Sequence, residues 1–248
     1  MYNPFSLEGK TILVTGASSG IGKAIAIECS RMGANVIITG RNEQRLEDTY
    51  KLLEGANHHT IVADLNSTDD IKRILNNIPA INGLVHCAGL TKTVPFQFAT
   101  KDILDEVLNV NFYAPVEITR SILKSKKVEK NGSIVFISSV SGVYCSAVAS
   151  SIYSASKGAV NGLVKGMALD LAPKGIRVNS VNPGMIETQI FDAGTITPEQ
   201  LEEDKKHYPL KRYGKPEEVA HAVIYLLSDA SSWVTGSNLK IDGGYTLL

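Results

Sequence analysis

The stretch Thr15-Gly16-Ala17-Ser18-Ser19-Gly20-Ile21-Gly22 narrows the possible folds of this chain more than any other. It follows Thr11-Ile-Leu-Val14, an apolar run of the length of a buried strand. It precedes Lys23-Ala-Ile-Ala-Ile-Glu28, whose composition favours a helix. Glycines at Gly16, Gly20 and Gly22 let backbone approach backbone and aim a helix N-terminus into the turn. Strand, glycine turn and helix in that order suit a dinucleotide pyrophosphate, although the spacing G-x-x-x-G-x-G departs from G-x-G-x-x-G.

The rest of the chain repeats the alternation. Strand-like runs fall at 11–14, 35–39, 60–63, 83–87, 133–138, 177–181 and 238–241. Helical patterns fall between them near 21–32, 43–54, 68–77, 102–126, 153–172 and 216–228. Such alternation predicts an α/β fold: a doubly wound, Rossmann-type parallel sheet of about seven strands with helices on both faces. The length of 248 residues suits one domain, 1–248, and no linker or repeat divides it. The stretch 185–212 fits the alternation poorly, with Gly194, Pro198, Pro209 and a charged run, and reads as a functional loop.

Composition excludes several classes. Basic and acidic residues balance, 25 against 25, which gives no electrostatic case for nucleic acid or a membrane surface. No apolar run reaches the length of a membrane span, and the N-terminus lacks a signal-peptide pattern, so a cytoplasmic location is expected. Cys29, Cys87 and Cys145 are scattered and read as reduced thiols. No metal is expected: His86 and Cys87 are neighbours on one strand and point to opposite faces.

The chemistry lies in Tyr153-Ser-Ala-Ser-Lys157, which sets a phenol and an ammonium four residues apart on one helix face. A nearby cation favours the phenolate, so Lys157 is expected to lower the Tyr153 pKa toward neutrality and ready it for proton transfer. Upstream lies Ile137-Ser-Ser-Val-Ser-Gly142, a serine-rich strand end.

With these motifs in order along one chain, the sequence resembles the short-chain dehydrogenase/reductase family, from Gly9 to about Tyr245. The resemblance implies a nicotinamide-dependent interconversion of ketone and secondary alcohol. Its glycine motif matches Gly16, Gly20 and Gly22, with Ser18, Ser19 and Ile21 between them as cofactor contacts. Its catalytic serine matches Ser139, with Ser141 the alternative and Ser138 read as a strand-end cap. Its tyrosine and lysine match Tyr153 and Lys157, which also touch the cofactor; its helix asparagine matches Asn111, implied to hold a water beyond Lys157. Pro183, Gly184, Ile186 and Thr188 match the turn beside the nicotinamide, Asp64 and Leu65 the adenine contact, and 185–212 the substrate lid. Where the family carries Asn-Ala-Gly against the cofactor, this chain has Cys87-Ala88-Gly89: Cys87 cannot make the amide's hydrogen bonds, but the three are still implied as cofactor contacts, and the small Ala88 and Gly89 allow its close approach.

Cofactor choice is read after the second strand. Ile38-Thr-Gly40-Arg41-Asn42 has no acid to bind ribose hydroxyls, and Arg41 can pair with a 2′-phosphate. NADP(H) is therefore favoured, with NAD(H) possible. The pattern resembles 3-oxoacyl-[acyl-carrier-protein] reductases most; dehydrogenases of sugars, polyols or steroids are the alternative, and a non-catalytic nucleotide sensor the remote one. The expected partners are a small ketone or alcohol, acyl-carrier protein met by a basic rim at Lys124, Lys126, Lys127, Lys130 and Lys174, and further copies in a homotetramer.

Overall fold

A computed structural model describes residues 2–188 and 197–248. Its seven strands are β1 Thr11–Thr15, β2 Asn35–Gly40, β3 His59–Val62, β4 Ile81–His86, β5 Val128–Ile137, β6 Arg177–Pro183 and β7 Asn238–Ile241. All pairings are parallel, in the order β3-β2-β1-β4-β5-β6-β7. The helices among the described residues are α1 Gly20–Arg31, α2 Glu43–Tyr50, α3 Thr68–Asn77, α4 Lys101–Leu108, α5 Ala114–Lys124, α6 Ser151–Leu171, α7 Pro198–Lys205 and α8 Pro216–Leu227. The order reverses between β1 and β4, and doubly wound sheets hold ligands outside the carboxyl ends of the strands at such a reversal.

Two cores flank the sheet, and each strand feeds both because its side chains alternate. Ile12, Val14, Val36 and Ile38 pack under α1, α2 and α8, where Ile25, Leu46, Val219 and Val223 are buried. Leu13, Ile37, Leu84 and Ile134 face the other way, against Ile74, Ile118, Ile122, Val160 and Val164 of α3, α5 and α6. Burial on both faces explains why the strands read as continuous apolar runs in the sequence.

The helix expected over 102–126 is interrupted. Asn109–Tyr113 winds as a π turn between α4 and α5. The cause is local. Pro115 has no N–H to return to the Asn111 carbonyl four residues back, which takes that carbonyl out of the α-helical ladder. The Asn111 side chain is held from outside the helix as well, by the Leu90 backbone and Ser156. π turns of this kind recur at functional sites.

His86 closes β4 on the α5 side. It stacks on Phe136, and its Nε2 lies 2.7 Å from Thr119 Oγ1. The Thr119 hydroxyl donates to the Pro115 carbonyl at 2.7 Å, so it accepts from His86 Nε2–H. Nδ1 is then a bare acceptor with no partner, and burial pushes the imidazole pKa down to about 3. The unfolded chain binds this proton near pH 6.5 and the folded one does not, so stability falls as pH drops from about 6.5 toward 3. Urea unfolding at pH 7 and pH 5 is expected to show a loss of about 2 kcal/mol from this residue. His86→Gln, which does not titrate, should remove that part of the difference.

Candidate active site

The glycine turn brings the backbones of β1, α1 and β4 together. A Cβ at Gly16 would stand 2.6 Å from Ala88 N and 2.9 Å from the Cys87 carbonyl carbon. One at Gly22 would strike the Gly16 carbonyl. Gly16 and Gly20 also take positive φ, at 69° and 52°. Thr15 Oγ1 accepts from the amides of Cys87 at 3.2 Å and Ala88 at 3.4 Å, which pins the β4 turn to β1. Ser19 precedes α1 in extended conformation, and no side chain caps this helix. Free N–H groups at an uncapped helix N-terminus facing a glycine-walled cleft fit a pyrophosphate.

That cleft, about 300 Å³, runs along the carboxyl edge of the sheet. It is lined by Gly16, Ser18, Ser19, Gly40, Arg41, Asn42, Arg45, Ala63, Asp64, Leu65, Asn66, Cys87, Ala88, Gly89, Leu90 and Val110. A Cβ on Gly20 would lie 3.4 Å from the Thr188 methyl carbon across the turn, and Gly184 N donates to Ile241 O at 2.8 Å beside Asp242. Ile186 is buried and bridges to Gly214. A larger hollow of about 480 Å³ lies at the outer edge of β3, around His59, Ile61 and Arg73, and touches none of these residues. The reading of the sequence missed Arg45. Asn42 caps α2 by accepting from Arg45 N at 2.9 Å, which sets Arg45 one turn above Arg41 on the same cleft wall. Asparagine before a charged helix start was the available signal.

Ser139, Tyr153, Lys157 and Asn111 come together at the end of this cleft. Ser139 follows β5, and its hydroxyl lies near enough to the Tyr153 phenol to act on its pKa. The Ser139 oxygen accepts from Ser141 N at 3.0 Å, which leaves its own proton to donate. Ser141 faces elsewhere, with its hydroxyl 2.7 Å from Ser154 Oγ. Ser138 points into the core and donates to the Lys157 carbonyl at 3.1 Å. Of the three serines, geometry singles out Ser139. Lys157 Nζ donates to the Ile137 carbonyl at 2.8 Å and lies 5.8 Å from the Tyr153 ring centroid. A Cβ on Gly89 would lie 3.3 Å from Asn111 Oδ1 and 3.6 Å from Lys157 Nζ, so these two groups flank one point in the site.

The electrostatics differ from the expectation. Burial pushes the Lys157 pKa down to about 8 and holds the Tyr153 phenol above its ordinary value; only the Ser139 hydroxyl acts downward on the phenol. Desolvation outweighs the lysine here because the ammonium bonds a carbonyl on β5 and not the phenol oxygen. Tyr153 is therefore protonated at neutral pH, the form a general acid needs. Cys87, beside Lys157, is a thiol pushed up to about 12 by burial and stays protonated. No group of metal-ligating side chains occurs among the described residues.

A family model described as enoyl-(acyl carrier protein) reductase matches residues 16–246. The chain belongs to the short-chain dehydrogenase/reductase family. It is 38% identical to a 3-oxoacyl-[acyl-carrier-protein] reductase of Thermotoga maritima, over 97% of this chain and 99% of the relative. It is 36% identical to a glucose 1-dehydrogenase of Gluconobacter oxydans, over 96% and 92%. A solved structure from Agrobacterium tumefaciens with bound NADP, provisionally described as a 2-deoxy-d-gluconate 3-dehydrogenase, superposes on all of both chains with a TM-score of 0.89 at 31% identity. The chain is thus a short-chain oxidoreductase.

Two expectations need correction within this family frame. The lysines assigned to a basic rim lie at the wrong edge of a single chain: Lys124, Lys126, Lys127 and Lys130 flank the start of β5, and Lys174 precedes β6. The site is at the carboxyl ends. Lys127 is moreover tied to the carbonyls of Leu75 and Ile78 at 2.6 Å each. The stretch 185–212, read as a functional loop because its prolines, Gly194 and charged run leave no continuous apolar stripe, is expected to pack weakly without ligand. Ile190, Phe191 and Gly194 lie outside the described residues, but Ile186 and Tyr208 are buried. Tyr208 stacks on Tyr245 at 4.8 Å and meets Tyr213 edge-on, because the C-terminal turn crosses this segment. No described helix is long and apolar enough to cross a membrane.

Holding Lys157 dry has a cost. With its pKa at about 8 folded and 10.5 unfolded, the folded chain binds this proton less well, and the penalty is fully present below pH 8. It amounts to about 3 kcal/mol, less the hydrogen bond to Ile137, which contributes about 1 kcal/mol. Lys157→Met is expected to raise stability by about 2 kcal/mol at pH 7 in urea unfolding, and to lose catalytic turnover. A Lys157→Met variant no more stable than the parent would show that the ammonium is better compensated than its single carbonyl partner indicates.

Proposed function

We propose that this protein is an NADPH-dependent ketone reductase acting on 3-oxoacyl thioesters, with acyl-carrier protein as the carrier. The observation that carries the reductase reading is the Ser139–Tyr153 hydroxyl pair at the end of the dinucleotide cleft, with Lys157 beside it. A bound nicotinamide dinucleotide supplies the hydride. The Ser139 O–H donates to the substrate oxygen, where negative charge develops. Tyr153, protonated beforehand, gives its proton to that oxygen, which suits the reductive direction. Lys157 steadies the phenolate left behind, and Asn111 lies on its far side, where a water can resupply the proton. Met185 and the described part of 185–212 belong to the substrate lid in this reading.

Arg41 and Arg45 on one wall support NADPH, since two cations there match a 2′-phosphate and no acid replaces them. Phe96 and Phe98 after β4 and Val148 after β5 are 75%, 66% and 94% exposed at the site's edge of the sheet. An apolar approach suits an acyl chain better than a polyol. The sugar-dehydrogenase reading rests on the relatives named for glucose and gluconate activities. A cytoplasmic location accords with the carrier-linked substrate. Assembly as a homotetramer is supported by α6, where Gly162 and Gly166 face open space and Leu169 is exposed, and by Trp233, which is 99% exposed.

Four measurements test these proposals. Acetoacetyl-CoA, crotonyl-CoA, glucose and gluconate are assayed by nicotinamide absorbance with both cofactors; reduction of acetoacetyl-CoA by NADPH should dominate. Faster oxidation of glucose or gluconate would move the protein to the second reading, and faster crotonyl-CoA reduction would make it an enoyl reductase. Tyr153→Phe should lower turnover on the order of 100-fold or more while cofactor binding is kept. Arg41→Ala and Arg45→Ala should each weaken NADPH by roughly 1.5–3 kcal/mol and leave NADH nearly unchanged. Light scattering should give four chains per particle, and a monomer at micromolar concentration would exclude the tetramer.

A further inference from the structure

Beneath Ser139 lies a buried polar cluster that neither the sequence motifs nor the chemistry above accounts for. Ser138, Asn161, Ser180 and Asn182 are each at least 96% buried. They come from the end of β5, from α6 and from β6, and Asn238 of β7 joins them. The hydrogen bonds fix both amide orientations. Asn161 Nδ2 donates to the Lys157 carbonyl at 2.9 Å and to Ser138 Oγ at 2.8 Å. Its Oδ1 therefore faces β6, where it accepts from Asn182 Nδ2 at 3.0 Å. The second Asn182 N–H donates to the Ser139 carbonyl at 2.8 Å. Ser180 Oγ lies within 2.9 Å of Asn161 Oδ1, Asn182 Oδ1 and Asn238 Oδ1 and donates its single proton to one of them.

We propose that Asn161 and Asn182 are positioning residues that set the Ser139 hydroxyl against the Tyr153 phenol. The inference rests on the ketone-reductase reading of the site. Past Ile137 the β5–β6 ladder still runs through Ser138 N to Val181 O at 2.8 Å and Val140 N to Pro183 O at 3.0 Å, but no backbone N–H among the described residues holds the Ser139 carbonyl. The Asn182 amide takes over that role. Asn161 then ties Asn182 to α6 at the Lys157 carbonyl, on the helix that also carries Tyr153. The chain Ser139–Asn182–Asn161–Lys157 is thus a direct polar link between the strand that bears one catalytic group and the helix that bears the other two. Apolar residues would fill the same space without desolvating four polar side chains, so close packing alone does not call for amides here. Both N–H groups of each amide have an acceptor here, which favours one arrangement over several, and an error of about 1 Å in a reacting group costs about 100-fold in rate.

The test is a double-mutant cycle read in single-turnover reduction of acetoacetyl-CoA by NADPH at high enzyme concentration. Asn182→Ala and Asn161→Ser are each made in the parent and in Ser139→Ala. In the parent, kcat should fall about 10- to 100-fold, with KM for acetoacetyl-CoA and Kd for NADPH each within about 2-fold. In Ser139→Ala the same substitutions should cost less than about 2-fold more, because the group they position is gone. Near-UV circular dichroism establishes that each variant is folded, and Asn161→Ser, the smaller defect, carries the comparison where Asn182→Ala does not fold. Unimpaired kcat in a folded variant, or equal losses in both backgrounds, overturns the positioning role and leaves the reductase reading standing. A Ser139→Ala protein as fast as the parent overturns both.

Discussion

Everything at the carboxyl edge of this sheet depends on two backbones lying closer than side chains allow. Gly16 sits against Cys87 and Ala88, and Gly22 sits against Gly16, with no room for a Cβ at either. That approach draws the uncapped start of α1 up to β1 and β4, where the strand order reverses. No side chain caps the start of α1, and Ser19 just before it lines the cleft. Thr15 locks the arrangement by holding both amides of the β4 turn on one hydroxyl. With a methyl group at Gly22 the helix would have to stand off the Gly16 carbonyl.

How much of this was legible in the sequence follows the range of the forces involved. Glycine turns, apolar runs and caps are local, so the strands, the order of motifs and the start of α3 at Thr68 could be read directly. Arg45 was missed although its signal was also local: the Asn42 cap starts the helix whose first turn carries Arg45 on the cleft wall. The π turn was missed for a different reason. Pro115 alone fits a helix start, and only the Leu90 backbone and Ser156, far apart in sequence, show that Asn111 is held from outside its own helix. The packing of Tyr208 was missed because Tyr245 reaches it from the far end of the chain.

The pKa values of Tyr153 and Lys157 could not be read from spacing at all. Four residues of helix place the ammonium near the phenol, but they do not say how much water either group keeps. The fold buries Lys157 under the β5 end and gives its proton to a carbonyl, so desolvation governs both groups. The phenol stays protonated, and the charge that could ionise it is partly lost above pH 8. In the reductive direction this is an advantage: the acid is loaded before the substrate arrives, and stabilisation of the phenolate is needed only after the proton has left.

The same logic explains why the site lies where three elements of the fold meet. Ser139 stands at the end of a strand, Tyr153 and Lys157 on a helix, and Asn111 in a π turn of another. Each piece is fixed to its own neighbours by apolar packing, which is strong but tolerates sliding by fractions of an ångström. Directional contacts are needed to set one piece against another. The Asn111 amide joins the π turn to α6 through Ser156, and the Asn161–Asn182 pair joins α6 to the end of β5. Both joints are buried amides that use their N–H groups and their oxygen at once. Apolar burial builds the sheet and its two helical layers, and this small number of amides sets the relative positions of the groups that react.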